Sequence, residues 1–73
     1  MSYGYSTAIV KLNRQVSARH LGVQLGRYCI RHSIPVQEVA EHFNVSRQTI
    51  YNWFCGTTKP RDKHVTSIKA YLV

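Results

Sequence analysis

The stretch from Val36 to Cys55, VQEVAEHFNVSRQTIYNWFC, limits the fold more than any other part of the chain. Its apolar residues fall at helical spacing in two short runs, Val36, Val39, Ala40 and Phe43, then Ile50, Trp53 and Phe54. Between the runs stand Asn44, Val45 and Ser46. Asn tolerates the left-handed backbone that ends a helix abruptly. Ser is a favoured N-cap, and an apolar residue just before the cap fixes the entry of the chain. Two short helices joined this closely cross steeply and need a small residue where their backbones approach. Ala40 is that residue, and Ile50 is the inward aliphatic residue on the second helix. Ala40, Asn44, Val45 and Ile50 meet all four requirements at the right offsets, and few short folds demand that set. Pro35 fits the first turn of the first of these helices.

The flanks read less sharply. From Ser17 to His32, Ala18, Leu21, Gly22, Leu25, Tyr28 and Cys29 form one apolar stripe of an amphipathic helix, with Ser17 as its expected N-cap. Gly22 and Gly26 each cost roughly 1 kcal/mol in a helix interior. Gly22 lies on the stripe, where it lets another helix come close. Gly26 lies off it, and the sequence gives no reason for it. Gly56 stops the helix that starts after Ser46, Thr57-Thr58-Lys59-Pro60 reads as a turn, and Asp62 is expected to cap a last helix with Val65, Ile68 and Leu72 inward. In residues 1–16, Ser6 followed by Ile9, Leu12 and Val16 suits a short helix, whereas Tyr3, Tyr5, Ile9 and Val10 suit a strand or an arm. The reading favoured is a mostly extended arm, 1–16, before a helical domain, 17–73.

A chain of 73 residues makes one domain with a slight core, which disfavours a deep, water-excluding catalytic site. No nucleophile with a base, acid pair or ligand cluster is visible, so no enzyme is expected. Glu38 and Glu41 read as a solvated face. Cys29 and Cys55 form no C-x-x-C pair and read as free thiols, with a disulfide as the alternative. His20, His32, His42 and His64 lack zinc-finger spacing and read as surface residues, so neither a metal nor another cofactor is implied. No apolar run approaches the ~20 residues of a membrane span or the ~7–15 of a secretory signal. A soluble, cytoplasmic protein is therefore expected.

Ten Lys and Arg against three Asp and Glu leave a net charge of +7. Lys11, Arg14, Arg19, Arg27 and Arg31 stand in the first 33 residues without an acid, and Lys59, Arg61, Lys63 and Lys69 crowd the last fifteen beside Asp62. Basic flanks thus enclose a nearly neutral middle. Such a balance serves a polyanion, nucleic acid first, then an anionic membrane surface or an acidic protein.

The segment 36–55 resembles the helix-turn-helix of the lambda-repressor/Cro-like, XRE-type family. The likeness extends to LGVQLGRYCIRHSI upstream, with Leu21-Gly22, Leu25 and Arg31, and to Trp53-Phe54, Gly56 and Pro60 downstream, covering roughly residues 20–72. Asn44 stands where the family usually has Gly, and a fifth, C-terminal helix is not expected within residues 1–73. The resemblance implies an all-α fold, a compact four-helix domain behind the N-terminal arm, whose third helix enters the DNA major groove. Carried over residue by residue, it gives Arg47, Gln48, Thr49, Tyr51 and Asn52 as outward, DNA-facing positions. The chemistry agrees: Arg47 suits guanine O6/N7, Gln48 or Asn52 suits adenine N6/N7, and Thr49 suits a thymine methyl. Tyr51 is balanced between a DNA contact and a packed rim. Ser46 caps the helix and can donate to phosphate, Gln37 resembles the family's backbone-contacting residue, and Lys59, Arg61 and Lys63 are expected to flank the groove. Lys11 and Arg14 are either an arm reaching DNA or a solvated tail. The implied function is a DNA-binding, sequence-specific transcriptional regulator of bacterial or phage origin, such as a repressor, acting as a homodimer on double-stranded DNA at the nucleoid or in a phage host's cytoplasm. The alternative is a protein-interaction module that docks its basic surface on the transcription machinery, such as RNA polymerase.

Overall fold

The computed structural model describes residues 5–73, which form five α-helices and no strand. They are α1 (Thr7–Gln15), α2 (Leu21–Arg31), α3 (Val36–Phe43), α4 (Arg47–Phe54) and α5 (Asp62–Leu72). The fold is all-helical, as expected, but it has one helix more than the four anticipated. The extra one is α1, which replaces most of the expected arm. Ser6 caps it, its hydroxyl accepting the Ile9 N–H at 3.2 Å. Of the proposed arm, Met1 to Gly4, including Tyr3, lies outside the described residues.

The centre of the molecule is α2, against which α1, α4 and α5 all pack, while α3 packs on α4. Its expected stripe is only part of what it buries. Val23, Gly26 and Ile30 are covered along with Gly22, Leu25 and Cys29, because neighbours lie on more than one side of the helix. Ala18, counted in that stripe, precedes the helix and is exposed. His20, not Ser17, holds the N-cap position of α2, and Ser17 instead accepts the Arg19 N–H in the preceding turn. At the other end of the chain, Arg61 is the N-cap residue of α5, and Asp62 sits in its first turn, where a carboxylate meets the positive end of the helix.

Leu25, Cys29, Val39, Ile50, Phe54 and Ile68 are fully buried and draw α2, α3, α4 and α5 into one core. Both cysteines are free, Cys29 in the core and Cys55 half-buried. Burial pushes the Cys29 thiol up to about 12 from the usual 9.0. The two glycines of α2 mark its closest approaches. A Cβ on Gly22 would lie 2.8 Å from the Trp53 carbonyl oxygen, so α2 and α4 touch almost backbone to backbone. A Cβ on Gly26 would lie 2.6 Å from the Asn13 amide nitrogen and 2.8 Å from the Phe54 ring. That supplies the reason the sequence withheld: Gly26 makes room for a residue of α1.

Three helices end in the same way. A residue at the cap or just after it takes a left-handed φ: Ser33 (55°) after His32, Asn44 (57°) as the cap itself, and Gly56 (73°) after Cys55. In each case the next N–H reaches back five residues: Ile34 to the Cys29 carbonyl, Val45 to Ala40, and Thr57 to Asn52, at 2.9 to 3.0 Å. This double turn satisfies carbonyls that a helix end otherwise leaves open. Asn44 and Gly56 suit it by residue type, whereas Ser33 adopts it against ordinary preference.

Candidate nucleic-acid interface

The local structure of α4 follows from three residues. Ser46 caps its start, the hydroxyl accepting the Thr49 N–H at 3.1 Å and lying 2.9 Å from the Thr49 hydroxyl. Asn44 turns the chain sharply into that cap, and its left-handed backbone (φ 57°, ψ 48°) is the geometry a helix-to-helix turn requires. Gly56 stops the helix after Phe54. Between these limits Ile50, Trp53 and Phe54 are buried, so the opposite side of α4 is left to solvent.

On that side Arg47 and Gln48 are exposed, and Thr49, Tyr51 and Asn52 are half-buried. Gln48 and Asn52 are joined, the Gln48 Nε2 donating to the Asn52 Oδ1 at 3.0 Å. This uses one donor and one acceptor of the pair and leaves the Gln48 Oε1 and the Asn52 amide hydrogens to meet a ligand. Tyr51 packs against the core, which places it at the rim of the face. The Thr49 hydroxyl is engaged with Ser46, which narrows what it can offer outside. No acidic residue lies in the first turn of α4. The Arg47 charge and the positive end of the helix therefore add without local neutralisation, an arrangement suited to an anion.

The other expected contacts surround this helix in sequence. Gln37 is exposed at the second position of α3, whose helix packs on α4. The turn after α4 folds back on it, the Thr57 and Thr58 N–H groups both donating to the Asn52 carbonyl at 2.9 and 3.4 Å. Lys59, Arg61 and Lys63 follow that turn and are exposed. Glu38 and Glu41 lie exposed on α3, in keeping with a solvated face. Lys11 and Arg14 are exposed on α1, so they extend from a folded helix and not from an arm.

The sequence missed the residues that tie α1 to the rest. Asn13 is 1 % exposed, and its amide donates to the Val23 carbonyl at 3.2 Å and the Phe54 carbonyl at 2.7 Å. It thus links α1 to α2 and to the end of α4. The Arg27 guanidinium donates to the Asn13, Arg14 and Val16 carbonyls at the end of α1, the shortest of these at 2.8 Å. Tyr5 is buried with its ring 6.0 Å from that of Phe54, and its hydroxyl donates to the Ile34 carbonyl at 2.6 Å. Burial, with smaller contributions from Cys29, Tyr51 and Tyr71, holds that hydroxyl well above the usual range for ionisation. The one sequence sign of these contacts was Gly26, a costly residue with no apparent partner.

His32 and His42 are exposed, in keeping with the surface reading, whereas His20 and His64 are half-buried. His64 rests 5.2 Å from the Trp53 ring, and His42 rests 4.9 Å from Tyr71. Among the described residues, no group of three or more His, Cys, Asp or Glu could hold a metal ion, and no helix is long and apolar enough to cross a membrane. No protein-family model matches the chain, nor does any curated protein or solved structure.

Proposed function

We propose that the protein is a sequence-specific double-stranded DNA-binding protein, a transcriptional regulator that sets α4 in the major groove. The observation that carries this reading is the division of α4 into two faces. Ile50, Trp53 and Phe54 hold it rigidly from behind, while Arg47, Gln48 and Asn52 stand outward on a capped helix entered through the left-handed turn at Asn44. Guanidinium and amide groups on a rigid helix are the chemistry that reads purine edges. A face built for a protein partner more often offers aromatic or aliphatic anchors. The net charge of +7 supplies the nonspecific attraction to phosphate, with Lys59, Arg61 and Lys63 flanking the groove and Gln37 meeting the backbone.

The resemblance of residues 20–72 to lambda-repressor/Cro-like domains supports the same reading and is the ground for a bacterial or phage setting, in the cytoplasm at the nucleoid. A helix of eight residues reads few base pairs. Two copies on a two-fold site about one helical turn apart are therefore the natural arrangement.

Selection from a random duplex pool, with the enriched site titrated against salt, tests the proposal. A recovered motif with a steep salt slope is the expected result, and a palindromic motif would accord with a symmetric dimer. Binding without a motif would remove the specificity, and no binding at low salt would remove the function. On the enriched site Arg47→Ala should cost ~1–3 kcal/mol and relax preference at one base pair, with little change on random DNA. Equal weakening on every sequence would make Arg47 a phosphate contact instead.

A further inference from the structure

We propose a second docking surface, between the start of α2 and α5, that takes an acidic amphipathic peptide segment of a partner protein. A groove of about 630 Å³ lies there, and no residue of α4 lines it. Leu21, Pro60, Val65 and Leu72 make its apolar part, each only half-buried. Arg19, Lys59 and Lys69 edge it, all exposed, and no acidic side chain takes part. The apolar residues gain by being covered, at about 25 cal/mol per Å² removed from water. The cations gain from carboxylates placed around that cover. One ligand that meets both demands is a helix with aliphatic residues on one side and Asp or Glu beside them, laid in the groove.

Two rivals fit less well. A phosphate backbone would satisfy the cations but bring nothing to cover Leu21, Val65 and Leu72. A second copy of the chain has only Glu38, Glu41 and Asp62 as acidic side chains against ten Lys and Arg, so it brings little to pair with the cations at this groove. Lys59 is shared between this groove and the proposed DNA flank. If the DNA reading holds, an acidic peptide in the groove competes with DNA for that side chain, and this consequence alone rests on that reading.

The test is a titration of the ¹⁵N-labelled full chain, without DNA, with a synthetic peptide of about 15 residues, a length marginal for a free helix, so that the groove completes its helical form. The peptide carries leucines at four-residue intervals with Glu at most other positions. Its controls replace every Leu with Ala or every Glu with Lys. Saturable shifts should centre on Leu21, Val65 and Leu72, and each control should bind at least about tenfold more weakly, a loss of ~1.4 kcal/mol. Arg19→Glu and Lys69→Gln in the protein should each weaken the leucine peptide several-fold, and Arg19→Glu, at an exposed position outside any helix, should leave the melting temperature unchanged. No saturation by about 1 mM, a bound weaker than ~4 kcal/mol, would overturn the proposal. So would equal binding of the alanine peptide, or shifts centred on Arg47 and Gln48. None of these results bears on the duplex selection, so failure of one reading leaves the other to be judged separately.

Discussion

Helices α1 and α4 begin alike and are held by opposite means. Each starts with a serine whose hydroxyl accepts the N–H three residues on, Ser6 to Ile9 at 3.2 Å and Ser46 to Thr49 at 3.1 Å. From there α4 buries Ile50, Trp53 and Phe54, whereas the one residue that α1 buries is Asn13. Leu12 of α1 is 47 % exposed, and Ile9 and Val10 are only half-buried. Ile9 and Val10 do touch the core, but the buried attachment of α1 is polar: Asn13 to two carbonyls, and Arg27 to three at the end of α1. Apolar packing is non-directional and tolerates small shifts. Side-chain bonds to buried carbonyls need their geometry, and losing a partner leaves a desolvated group. The two helices should therefore fail differently.

The largest expected loss is at the back of α4. Gly22→Ala sets a methyl 2.8 Å from the Trp53 carbonyl oxygen and 3.1 Å from its carbon, main-chain atoms that cannot turn aside. Overpacking of this kind costs about 3 kcal/mol at its upper end, and the gain in helix propensity returns about 1. A thermal melt should fall by roughly 8 °C or more, at about 4–8 °C per kcal/mol for a domain of this size. An unchanged melt would break the packing of α2 on α4. Next comes Asn13→Ala, which should cost ~1–3 kcal/mol and speed hydrogen exchange in α1 before it does so in α4. Equal exchange in both helices would show that α1 needs no polar link.

Alkaline pH reaches the core through Cys29 of α2 and the α1 side through Tyr5. The folded state keeps the Cys29 proton up to about 12, while an unfolded thiol loses it near 9.0. Stability from this source is complete below 9.0, and it declines as pH rises towards 12, because the unfolded chain then holds fewer protons than the folded one. Urea titrations at stepwise pH should show this slope, at most ~1.4 kcal/mol per pH unit. Cys29→Ala should flatten it from near 9.0, and Tyr5→Phe, on the α1 side, from near 10.0. The smallest effect has the opposite sign. Ser33→Gly relieves a left-handed serine (φ 55°) next to Ile34, whose carbonyl holds Tyr5. A gain of about 1 kcal/mol is expected in the melt.

The contrast also explains what could be read in advance. Around α4 each requirement is local: a cap wants a hydroxyl, a left-handed end wants Asn or Gly, and an inward face wants apolar residues three and four apart. Ser46, Asn44, Gly56, Ile50, Trp53 and Phe54 carry those marks, and Ala40 and Gly22 are small where helices approach. The outward exposure of Arg47 and Gln48 follows by subtraction. Around α1 the decisive partners are main-chain carbonyls, which every residue possesses, so nothing in the sequence singles out Val23 or Phe54 as the acceptor for Asn13. Residues 7–15 lack a wide apolar stripe, which let an extended arm compete with the helix that Ser6 announces. Arg27 looked like one more surface cation. Ser33 is no usual left-handed residue, and the helix end that uses it was invisible for that reason.

The hydrogen bond between Gln48 and Asn52 makes two positions behave as one letter. A substitution at either leaves the other with an unpaired amide, free to turn to a new orientation, so a single exchange alters two side chains at once. Effects at the two sites should depart from simple addition. Any lineage or library that re-addresses this face would then find its useful variants by changing the residues jointly, and would read each alone as a dead end.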